Sequence, residues 1–384
     1  MILTLTPPDF LHDPALQAVL AALPEARLVG GCVRDAVAGV PVADIDLATP
    51  RLPDQVLAAL RAAGLRGVPT GIAHGTVTAV SGGRGFEVTT LRQDLRSTDG
   101  RHAEVAFSDD WQQDAARRDF TINALSMTPN GAVHDYFGGI DDLRAGRLRF
   151  VGDPATRLAE DRLRALRFFR FFARYAAALP DQPTEQALRA AVPDLALLSA
   201  ERVWGELKRI LAAPDPRPAL ALMRQLGVLQ AVLPEAGEAS RLDGLIDAGA
   251  PADLLLRLAA LLPPGAAAPA ARLRLSAAEA EHLDALRHGP APSANDDDNA
   301  LRRLLADTPA DLLVGRAHLS GAPVALLARL AHLPPPSFPL AGRDALALGL
   351  APGPALGAAL ARVRSWWLAG GCTADRAACL SRLA

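Results

Sequence analysis

The chain contains 384 residues, and this length predicts two or three domains rather than a single core. Half of the residues are hydrophobic and 21% are charged, a composition that is typical of globular proteins and argues against disordered and membrane-spanning classes. The formal net charge of −2 provides no overall attraction to nucleic acid, so any contact with RNA requires a local basic surface.

The N-terminal residues and the cysteines predict a cytoplasmic protein. The first residues lack the basic region and the following apolar stretch that mark a signal peptide. The three cysteines, Cys32, Cys372 and Cys379, have neither metal-ligand spacing nor the even number that a disulfide framework requires. We therefore expect a reducing compartment and no zinc site.

Two kinds of sequence pattern divide the chain. Between about residues 25 and 150, helical stretches alternate with five short β-type runs, which read ARLVGG, DIDLAT, HGTVTAV, GFEVTTL and AVHDYF. From about Asp153 onward these runs stop, and alanine, leucine and arginine recur at helical spacing between proline and glycine breaks. The pattern predicts a mixed α/β head followed by an all-helical remainder.

A glycine pair ends the first β-type run. Gly30 and Gly31 come directly before a predicted helix that begins CVRD and contains Arg34. Glycine lets the backbone approach a ligand closely, and the free N–H groups at the start of a helix attract phosphate. The turn therefore predicts a phosphate-binding site, although a glycine pair also occurs in purely structural turns.

Three acidic side chains lie on predicted strands. Asp44 and Asp46 are two positions apart, so both point to one face while Ile45 points into the core. Two adjacent carboxylates are costly without a counter-ion, and Mg²⁺ suits carboxylate and phosphate oxygens. We expect a metal site here, with an exposed acidic pair near a turn as the alternative. Glu87 is either a third carboxylate at or beside this site or a partner in a cross-strand salt bridge to an arginine.

A dense polar cluster follows in the sequence RRDFTIN. Its charged and amide side chains are Arg117, Arg118, Asp119 and Asn123. Two guanidinium groups can bind a triphosphate, and aspartate and asparagine can form hydrogen bonds with ribose hydroxyls. A helix cap with surface arginines is the alternative.

The segment from Arg157 to Arg170 predicts one continuous helix. Asp161, Arg164, Arg167 and Arg170 recur every third residue, so successive members are neighbours on its surface. An Asp–Arg pair can select cytosine and adenine, because both bases present an amine donor beside a ring-nitrogen acceptor. Guanine and uracil present the reverse pattern and would leave both protein groups unpaired. A surface helix with ion pairs three residues apart is the alternative.

Together these motifs resemble the tRNA nucleotidyltransferase and poly(A) polymerase family, in the bacterial and eukaryotic class of the polymerase-β-like superfamily. The resemblance extends from about Arg27 to Leu211, in the order LVGGCVRD, DIDLAT, HGTVTAV with FEVTTLR, TDGRHAEVAFSDDWQQDAARRDFTINAL, HDYFGGIDDL, FVGDPATRLAEDRLRALRFFRF and ERVWGELKRIL. It implies an α+β fold, in which a nucleotidyltransferase head with a mixed five-stranded sheet precedes an all-helical neck, body and tail. The implied boundaries are 1–145 for the head, 146–212 for the neck, and 213–384 for a body and tail that bind tRNA.

The resemblance also implies a role for each motif. Asp44 and Asp46 would bind the catalytic metal ions, and Glu87 is a further catalytic candidate. The residues expected to bind the nucleotide are Gly30, Gly31, Arg34, Arg117, Arg118, Asp119, Asn123, Glu160, Asp161, Arg164, Arg167 and Arg170. Within this set, Asp161 and Arg164 would act as an amino-acid template for C and then A, and Glu160 would orient both.

The implied activity is the template-independent addition of C, C and A to a tRNA 3′ end from CTP and ATP, with Mg²⁺ as the cofactor. The segment LRQDLRSTDGRHAEV resembles the flexible loop of enzymes that add the whole CCA. The sequence shows neither the basic signature of the family's poly(A) polymerases nor a His-Asp phosphohydrolase module. The alternatives are a poly(A) polymerase, an enzyme that adds only CC or only A, and a non-catalytic RNA-binding protein on a transferase fold.

Overall fold

The computed structural model describes residues 1–97 and 103–383. They form two compact units, Met1–Val232 and Leu233–Ala384, which we call the first and the second unit. All strands of the described residues lie in the first unit, and the second unit is helical. The mixed-sheet head followed by helices is therefore confirmed. The finer division at residues 145 and 212 stays a prediction.

Ten strands occur in the described part of the chain. They are β1 (Ile2–Thr4), β2 (Arg27–Val29), β3 (Asp46–Thr49), β4 (Arg66–Gly71), β5 (Thr76–Ser81), β6 (Arg84–Thr90), β7 (Arg92–Ser97), β8 (Ala103–Phe107), β9 (Leu125–Met127) and β10 (Ala132–Asp135). Eight of them form one sheet in the order β1-β10-β9-β2-β3-β6-β5-β4, and β7 pairs with β8 in a separate sheet. The β3–β6 pair is parallel, and the other neighbours in the large sheet are antiparallel.

The large sheet has eight strands where five were expected. The five β-type runs of the sequence became β2, β3, β5, β6 and β10. Strands β1 and β9 are only three residues long, which is too short to show an alternating pattern. Strand β4 contains Pro69 and two glycines, which are tolerated because this strand forms an edge of the sheet. The flexible-loop prediction spans β7 and β8, and its central residues 98–102 lie outside the described residues.

The first unit contains eleven α-helices within the described residues. They are α1 (Pro14–Ala22), α2 (Gly31–Ala38), α3 (Pro53–Ala62), α4 (Trp111–Ala116), α5 (Gly139–Arg144), α6 (Pro154–Glu160), α7 (Leu163–Tyr175), α8 (Gln182–Ala191), α9 (Ala200–Leu211), α10 (Arg217–Gln225) and α11 (Val228–Val232). Short 3-10 helices lie at Asp9–His12, Ile72–His74, Thr121–Asn123 and Val192–Leu197. Helix α6 shows why such elements begin where they do: the Asp153 side chain accepts a hydrogen bond from the Thr156 N–H, and Pro154 occupies the first turn.

Alternation along the central strands separates a buried face from a polar face. Phe86 and Val88 of β6 are buried and belong to a core that includes Leu60 of α3 and Val19 of α1. Glu87 lies between them in sequence and is exposed, so it points to the opposite face of the sheet. The sheet therefore holds its acidic side chains on the face away from α1 and α3.

The second unit consists of helices, and its buried residues include two hydrophobic clusters. Its helices are α12 (Ser240–Asp247), α13 (Leu254–Leu261), α14 (Ala277–Arg287), α15 (Asp298–Asp307), α16 (Ala310–Leu319), α17 (Val324–His332), α18 (Gly342–Ala347), α19 (Pro354–Ala369) and α20 (Arg376–Leu383). Trp367 and Val363 anchor one cluster, and Leu301 and Leu330 anchor the other. Among the described residues, no helix combines the length and apolar composition that crossing a membrane requires.

Candidate nucleotide-binding and catalytic site

A cleft of about 930 Å³ in the first unit contains most of the predicted site. The predicted residues that line it are Gly30, Gly31, Arg34, Asp44, Asp46, Arg117, Arg118, Asp119, Asn123, Asp161, Arg164, Arg167 and Arg170. The cleft is also lined by Asp35, Ala43, Leu163, Phe171, Arg174, Tyr175, Arg202, Arg209, Ala212, Ala213 and Pro214. Nine arginines and five aspartates are among these residues, so a strongly basic surface exists on a chain whose net charge is −2. Glu87 and Glu160 are the two predicted site residues outside this lining.

The glycine turn brings the backbone against an arginine. Gly30 has a φ of 69°, in the region that glycine adopts at little cost, and it directly precedes α2. A Cβ atom at this position would lie 2.8 Å from Nη1 of Arg118. The backbone conformation therefore requires glycine here, whereas the Arg118 guanidinium is the end of a flexible side chain and could move away from a Cβ atom. Gly31, the first residue of α2, presents the open N-terminus of that helix toward the cleft.

The acidic pair lies at the start of β3. The strand begins at Asp46, so the prediction that Asp44 also lies in the strand was wrong; Asp44 precedes it in an irregular segment. The expected orientation is nevertheless present, because Ile45 is buried while both aspartates are exposed and line the cleft. Partial burial raises the pKa of Asp46, and the negative charges of Glu87 and Asp44 raise it further, against the opposing effect of Arg118.

This electrostatic arrangement fits a divalent cation. The negative charges of Asp44 and Glu87 repel the Asp46 carboxylate, and a hard cation would remove this repulsion. The described residues contain no group of three or more His, Cys, Asp or Glu side chains arranged to hold a metal ion. Asp44 and Asp46 would thus provide two carboxylates and leave the remaining coordination positions to phosphate and water.

Glu87 lies beside Asp46 on the neighbouring strand. In the parallel β3–β6 pair, the two residues are in direct register. Glu87 makes no ion pair within the described residues, which does not support the cross-strand salt bridge to an arginine. Its position is that of a carboxylate beside the acidic pair.

Arg117 and Arg118 share one buried carboxylate. Asp114 of α4 accepts a hydrogen bond from Nε of Arg117 at 2.9 Å and lies 3.4 Å from Nη2 of Arg118. Burial raises the pKa of Asp114, but the two guanidinium groups outweigh it and hold the pKa below its ordinary value. Two cations on one anion leave a net positive charge beside Gly30, which suits a phosphate group.

Asp119 and Asn123 form the floor of the cleft and are both buried. Asp119 accepts hydrogen bonds from the Asn123 amide at 2.9 Å and from Nε of Arg167 at 2.7 Å. The Asn123 carbonyl oxygen in turn accepts from Nη1 of Arg34 at 2.7 Å. Burial raises the pKa of Asp119, yet the charge of Arg167 and these hydrogen bonds bring it below the ordinary value. The network fixes two arginines that were predicted to contact the nucleotide.

Aromatic rings of α7 hold Arg34 from its other side. The guanidinium carbon of Arg34 lies 4.6 Å from the ring centre of Tyr175 and 5.0 Å from that of Phe171. The Arg34 Nε donates to Asp35 at 2.9 Å, and the Tyr175 hydroxyl donates to the same carboxylate oxygen. Arg34 is therefore fixed in one orientation by both charge and stacking.

The expected continuous helix is broken at Asp161. Helix α6 ends at Glu160, Asp161 has an extended backbone (φ −150°, ψ 108°), and α7 begins at Leu163. The Asp161 side chain accepts a hydrogen bond from the Leu163 N–H at 3.0 Å. Short polar side chains compete with the helical backbone in this way, so the aspartate starts a new helix instead of continuing the old one.

The break separates the two template candidates into different ion pairs. Asp161 pairs with Arg202 of α9, whose Nη2 lies 2.9 and 3.1 Å from its two carboxylate oxygens. Arg164 pairs with Glu160 and donates to the Arg157 carbonyl at 3.0 Å. Glu160 therefore contacts Arg164, as expected, whereas Arg202 and not Glu160 holds Asp161.

Arg170 is paired within the helices. Its Nη1 lies 3.1 Å from Oε1 of Glu206, a buried residue of α9. The same Glu206 oxygen lies 3.4 Å from Nη1 of Arg209. Burial lowers the pKa of Arg170 to about 10, and the charges of Arg167 and Arg209 act in the same direction while Glu206 opposes them.

Comparison with known proteins agrees with this geometry. The family description "Poly A polymerase head domain" matches residues 26–149, and "Probable RNA and SrmB- binding site of polymerase A" matches residues 180–239. These two stretches are similar to the tRNA nucleotidyltransferase and poly(A) polymerase family. Nucleotidyltransferases of this family are generally metal-dependent.

Similar proteins include a mitochondrial and a bacterial enzyme. The chain is 45% identical to the mitochondrial CCA tRNA nucleotidyltransferase 1 of Danio rerio over 54% of its own length and 48% of that protein. It is 41% identical to the CCA-adding enzyme of Lactiplantibacillus plantarum over 56% of its own length and 52% of that protein. The chain thus matches about half of the length of these curated relatives.

Solved structures resemble the whole chain. The Bacillus stearothermophilus CCA-adding enzyme in complex with CTP has a TM-score of 0.66 at 26% identity and covers 97% of both chains. The Thermotoga maritima CCA-adding enzyme complexed with tRNA also has a TM-score of 0.66, at 20% identity, covering 100% of this chain and 98% of that chain. The second likeness shows the fold alone.

The sequence did not predict several residues that line the cleft or hold its side chains. Asp35 and Asp114 hold predicted arginines, and Arg202 and Glu206 hold predicted template-segment residues. Asp35 follows Arg34 directly in GGCVRD, so its position was a usable signal. Arg202 and Glu206 lie about forty residues from their partners, and only the packing of α9 on α7 reveals them.

Proposed function

We propose that this chain is a CCA-adding tRNA nucleotidyltransferase, which adds C, C and A to a tRNA 3′ end from CTP and ATP. The main observation behind this proposal is that one cleft is lined by the Asp44–Asp46 pair and by the Asp161 and Arg164 side chains. A transferase needs the first pair for chemistry, and an enzyme without a nucleic-acid template needs the second pair to choose a base. The names of the relatives and of the similar structures support the same activity.

The ion pairs around Asp161 and Arg164 leave both groups able to meet a base. A carboxylate has about four acceptor positions, so Asp161 can accept the amine of cytosine or adenine while it keeps its bonds to Arg202. A guanidinium has five N–H donors, so Arg164 can donate to the ring nitrogen while Glu160 orients it. Guanine and uracil would present an acceptor to the Asp161 carboxylate and a donor to the Arg164 guanidinium, and would be rejected.

In the proposed reaction the 3′ oxygen of the RNA attacks the α-phosphorus of the nucleotide, forms a phosphodiester bond and expels pyrophosphate. Arg117, Arg118 and the N-terminus of α2 would bind the phosphates and offset the negative charge that grows on pyrophosphate. Mg²⁺ held by Asp44 and Asp46 would supply a Lewis acid that lowers the pKa of the attacking hydroxyl. Glu87, in register with Asp46, would add a third carboxylate at or beside this metal site.

The three-part division of the chain belongs to the same proposal. Residues 1–145 would carry the chemistry and 146–212 the selection of the base. Residues 213–384 would contact tRNA through its shape and phosphates. The match of residues 180–239 to an RNA-binding description supports an RNA contact on both sides of residue 212.

The deciding experiment supplies the protein and Mg²⁺ with three tRNA transcripts, ending before CCA, after C, and after CC. Each transcript receives CTP, ATP or both, and products are resolved at single-nucleotide length. Addition of C, C and A followed by arrest supports the proposal. Long A tails would mean a poly(A) polymerase, and a stop after CC or activity on CC ends alone would mean a divided pathway. No addition from any end would favour a non-catalytic RNA-binding protein, and chelation by EDTA should abolish any activity that is found.

A further inference from the structure

Helices α7 and α9 carry charged side chains that face each other in successive rungs. The first rung is Asp161, just before α7, with Arg202 of α9. The second rung is Arg170 of α7 with Glu206 of α9. From the first rung to the second, the residue numbers increase on both helices, so the two helices run in the same direction. Each rung joins a positive and a negative side chain.

The next turn of both helices breaks this rule. Four residues after Arg170 comes Arg174, and three residues after Glu206 comes Arg209, each about one turn farther along its helix. Both arginines line the cleft and both are exposed. We call Arg174 and Arg209 the third rung; it adds two positive charges to the cleft, whereas each earlier rung joins opposite charges.

The carboxylates of the first unit do not neutralise this rung. Arg174 makes no ion pair within the described residues, and Arg209 shares Glu206 with Arg170. The guanidinium groups of Arg170, Arg174 and Arg209 and the one carboxylate of Glu206 leave two net positive charges at this end of the cleft.

Most other arginines of the cleft are matched by carboxylates. Arg34 pairs with Asp35, Arg167 with Asp119, and Arg202 with Asp161. Uncompensated positive charge is thus found at two places, beside Gly30 where Arg117 and Arg118 share Asp114, and at the third rung. The positive charge beside Gly30 lies near the acidic pair and suits the triphosphate. The positive charge at Arg174 and Arg209 is therefore left for a different anion.

We propose that Arg174 and Arg209 form a binding subsite for a backbone phosphate of the RNA whose 3′ end is extended. Arg174 lies ten residues after Arg164 in the same helix, or about 15 Å along its axis. This distance separates the rung from the base-selecting end of the cleft. The proposal deepens the proposed function and rests on it, because it assigns a site to the second substrate of that reaction.

The test measures the dissociation constant for a tRNA transcript ending before CCA, by fluorescence anisotropy, alongside the KM values for that RNA and for CTP. The variants are Arg174→Gln and Arg209→Gln, singly and together, with Arg174→Lys as the conservative change. Arg61→Gln is the matched control, because Arg61 is an exposed arginine of α3 outside the cleft and its loss changes the net charge equally.

We expect each glutamine variant to weaken RNA binding and raise the KM for RNA by roughly tenfold, as for a lost charge-assisted hydrogen bond, while the KM for CTP moves less than about twofold. Lysine should restore much of the binding. The slope of log affinity against log salt concentration should fall by about 0.7 for each phosphate contact removed from a single strand. Arg61→Gln should change neither KM.

Two outcomes would overturn the subsite. If the KM for CTP rises while RNA affinity is unchanged, the rung binds the nucleotide's own phosphates; if neither changes, it binds no substrate. The measurement of RNA binding by fluorescence anisotropy also separates this inference from the proposed function. A wild-type protein that binds RNA through these arginines but adds no nucleotide would refute the activity and keep the subsite, and a wild-type protein that binds no tRNA would refute the subsite directly.

Discussion

The two units of the chain bury different kinds of side chain. Of the sixteen polar or charged residues that are buried in the described part of the chain, fourteen lie in Met1–Val232 and two lie in Leu233–Ala384. The second unit is stabilised mainly by leucine-rich clusters. Buried polar groups are costly unless they are fully paired. Their concentration in the first unit, several of them around one cleft, indicates that this unit accepts the cost in order to hold charged groups in fixed positions.

The acidic pair offers the strongest test of this difference. Asp46→Ala should reduce nucleotide addition by about 10³-fold or more, because the proposed reaction assigns this carboxylate to the cation at the reacting phosphate. RNA affinity should remain close to that of the wild type, since Asp46 contributes no positive charge. Single-turnover addition of C and RNA binding are the two measurements. Substantial turnover by Asp46→Ala would remove the chemical reason for the polar interior of the first unit.

A second test concerns base selection. A site that forms hydrogen bonds with the base can reject mismatched bases by a factor on the order of 10⁴. The Asp161→Ala variant should lose about two orders of magnitude of this discrimination. The readout is the ratio of kcat/KM for CTP to that for UTP and GTP. Asp194→Ala is a suitable control, because Asp194 also pairs with an arginine, Arg162, but lies outside the cleft. An unchanged ratio for Asp161→Ala would show that its pairing with Arg202 is purely structural.

A third test compares an ion pair from each unit. Asp119→Asn should destabilise the first unit by about 3 kcal/mol, because it leaves Arg167 without its buried partner. Asp298→Asn in the second unit should cost less than about 1 kcal/mol, because Asp298 and Arg329 are both largely exposed. Hydrogen exchange resolved by peptide reports the two units separately. Equal losses would mean that burial does not distinguish the pairs.

The same pair has a defined pH dependence. The pKa of Asp119 is lower in the folded protein than the ordinary aspartate value of 3.8. Its contribution to stability is therefore complete above that value and is lost as the pH falls through the folded pKa. The stability difference between wild type and Asp119→Asn should shrink below about pH 4. A difference that stays constant in acid would show that the ion pair is not its source.

The smallest expected effect has the opposite sign. The pKa of Asp46 is raised, so its charge opposes folding once the pH exceeds the folded pKa, and this penalty is absent below 3.8. At neutral pH without divalent cations, Asp46→Asn should be more stable than the wild type by less than about 1 kcal/mol, because solvent screens this exposed group. The gain should vanish in acid, and Mg²⁺ should reverse it by stabilising the wild type. Thermal unfolding with and without Mg²⁺ measures both effects.

The helical break at Asp161 shows the limit of periodicity. A spacing of three residues placed Asp161 and Arg164 on one helix, but Asp161 precedes α7, accepts a hydrogen bond from the Leu163 N–H and pairs with Arg202. Periodicity reports the face on which a side chain lies, and it does not report which distant residue will meet that face. The same reason explains why Arg202, Glu206 and Arg209 were absent from the predicted site.

The sequence by itself determined the order and type of the elements and the chemical groups of the site. Alternation in β5 and β6, glycine at position 30 and proline with aspartate at helix starts are local signals, because each depends on residues only a few positions apart. Only the tertiary structure decided the partners: Glu87 beside Asp46 through strand register, and the rungs between α7 and α9 through helix packing. Partner choice depends on how separate elements come together, and no short window of sequence contains that information.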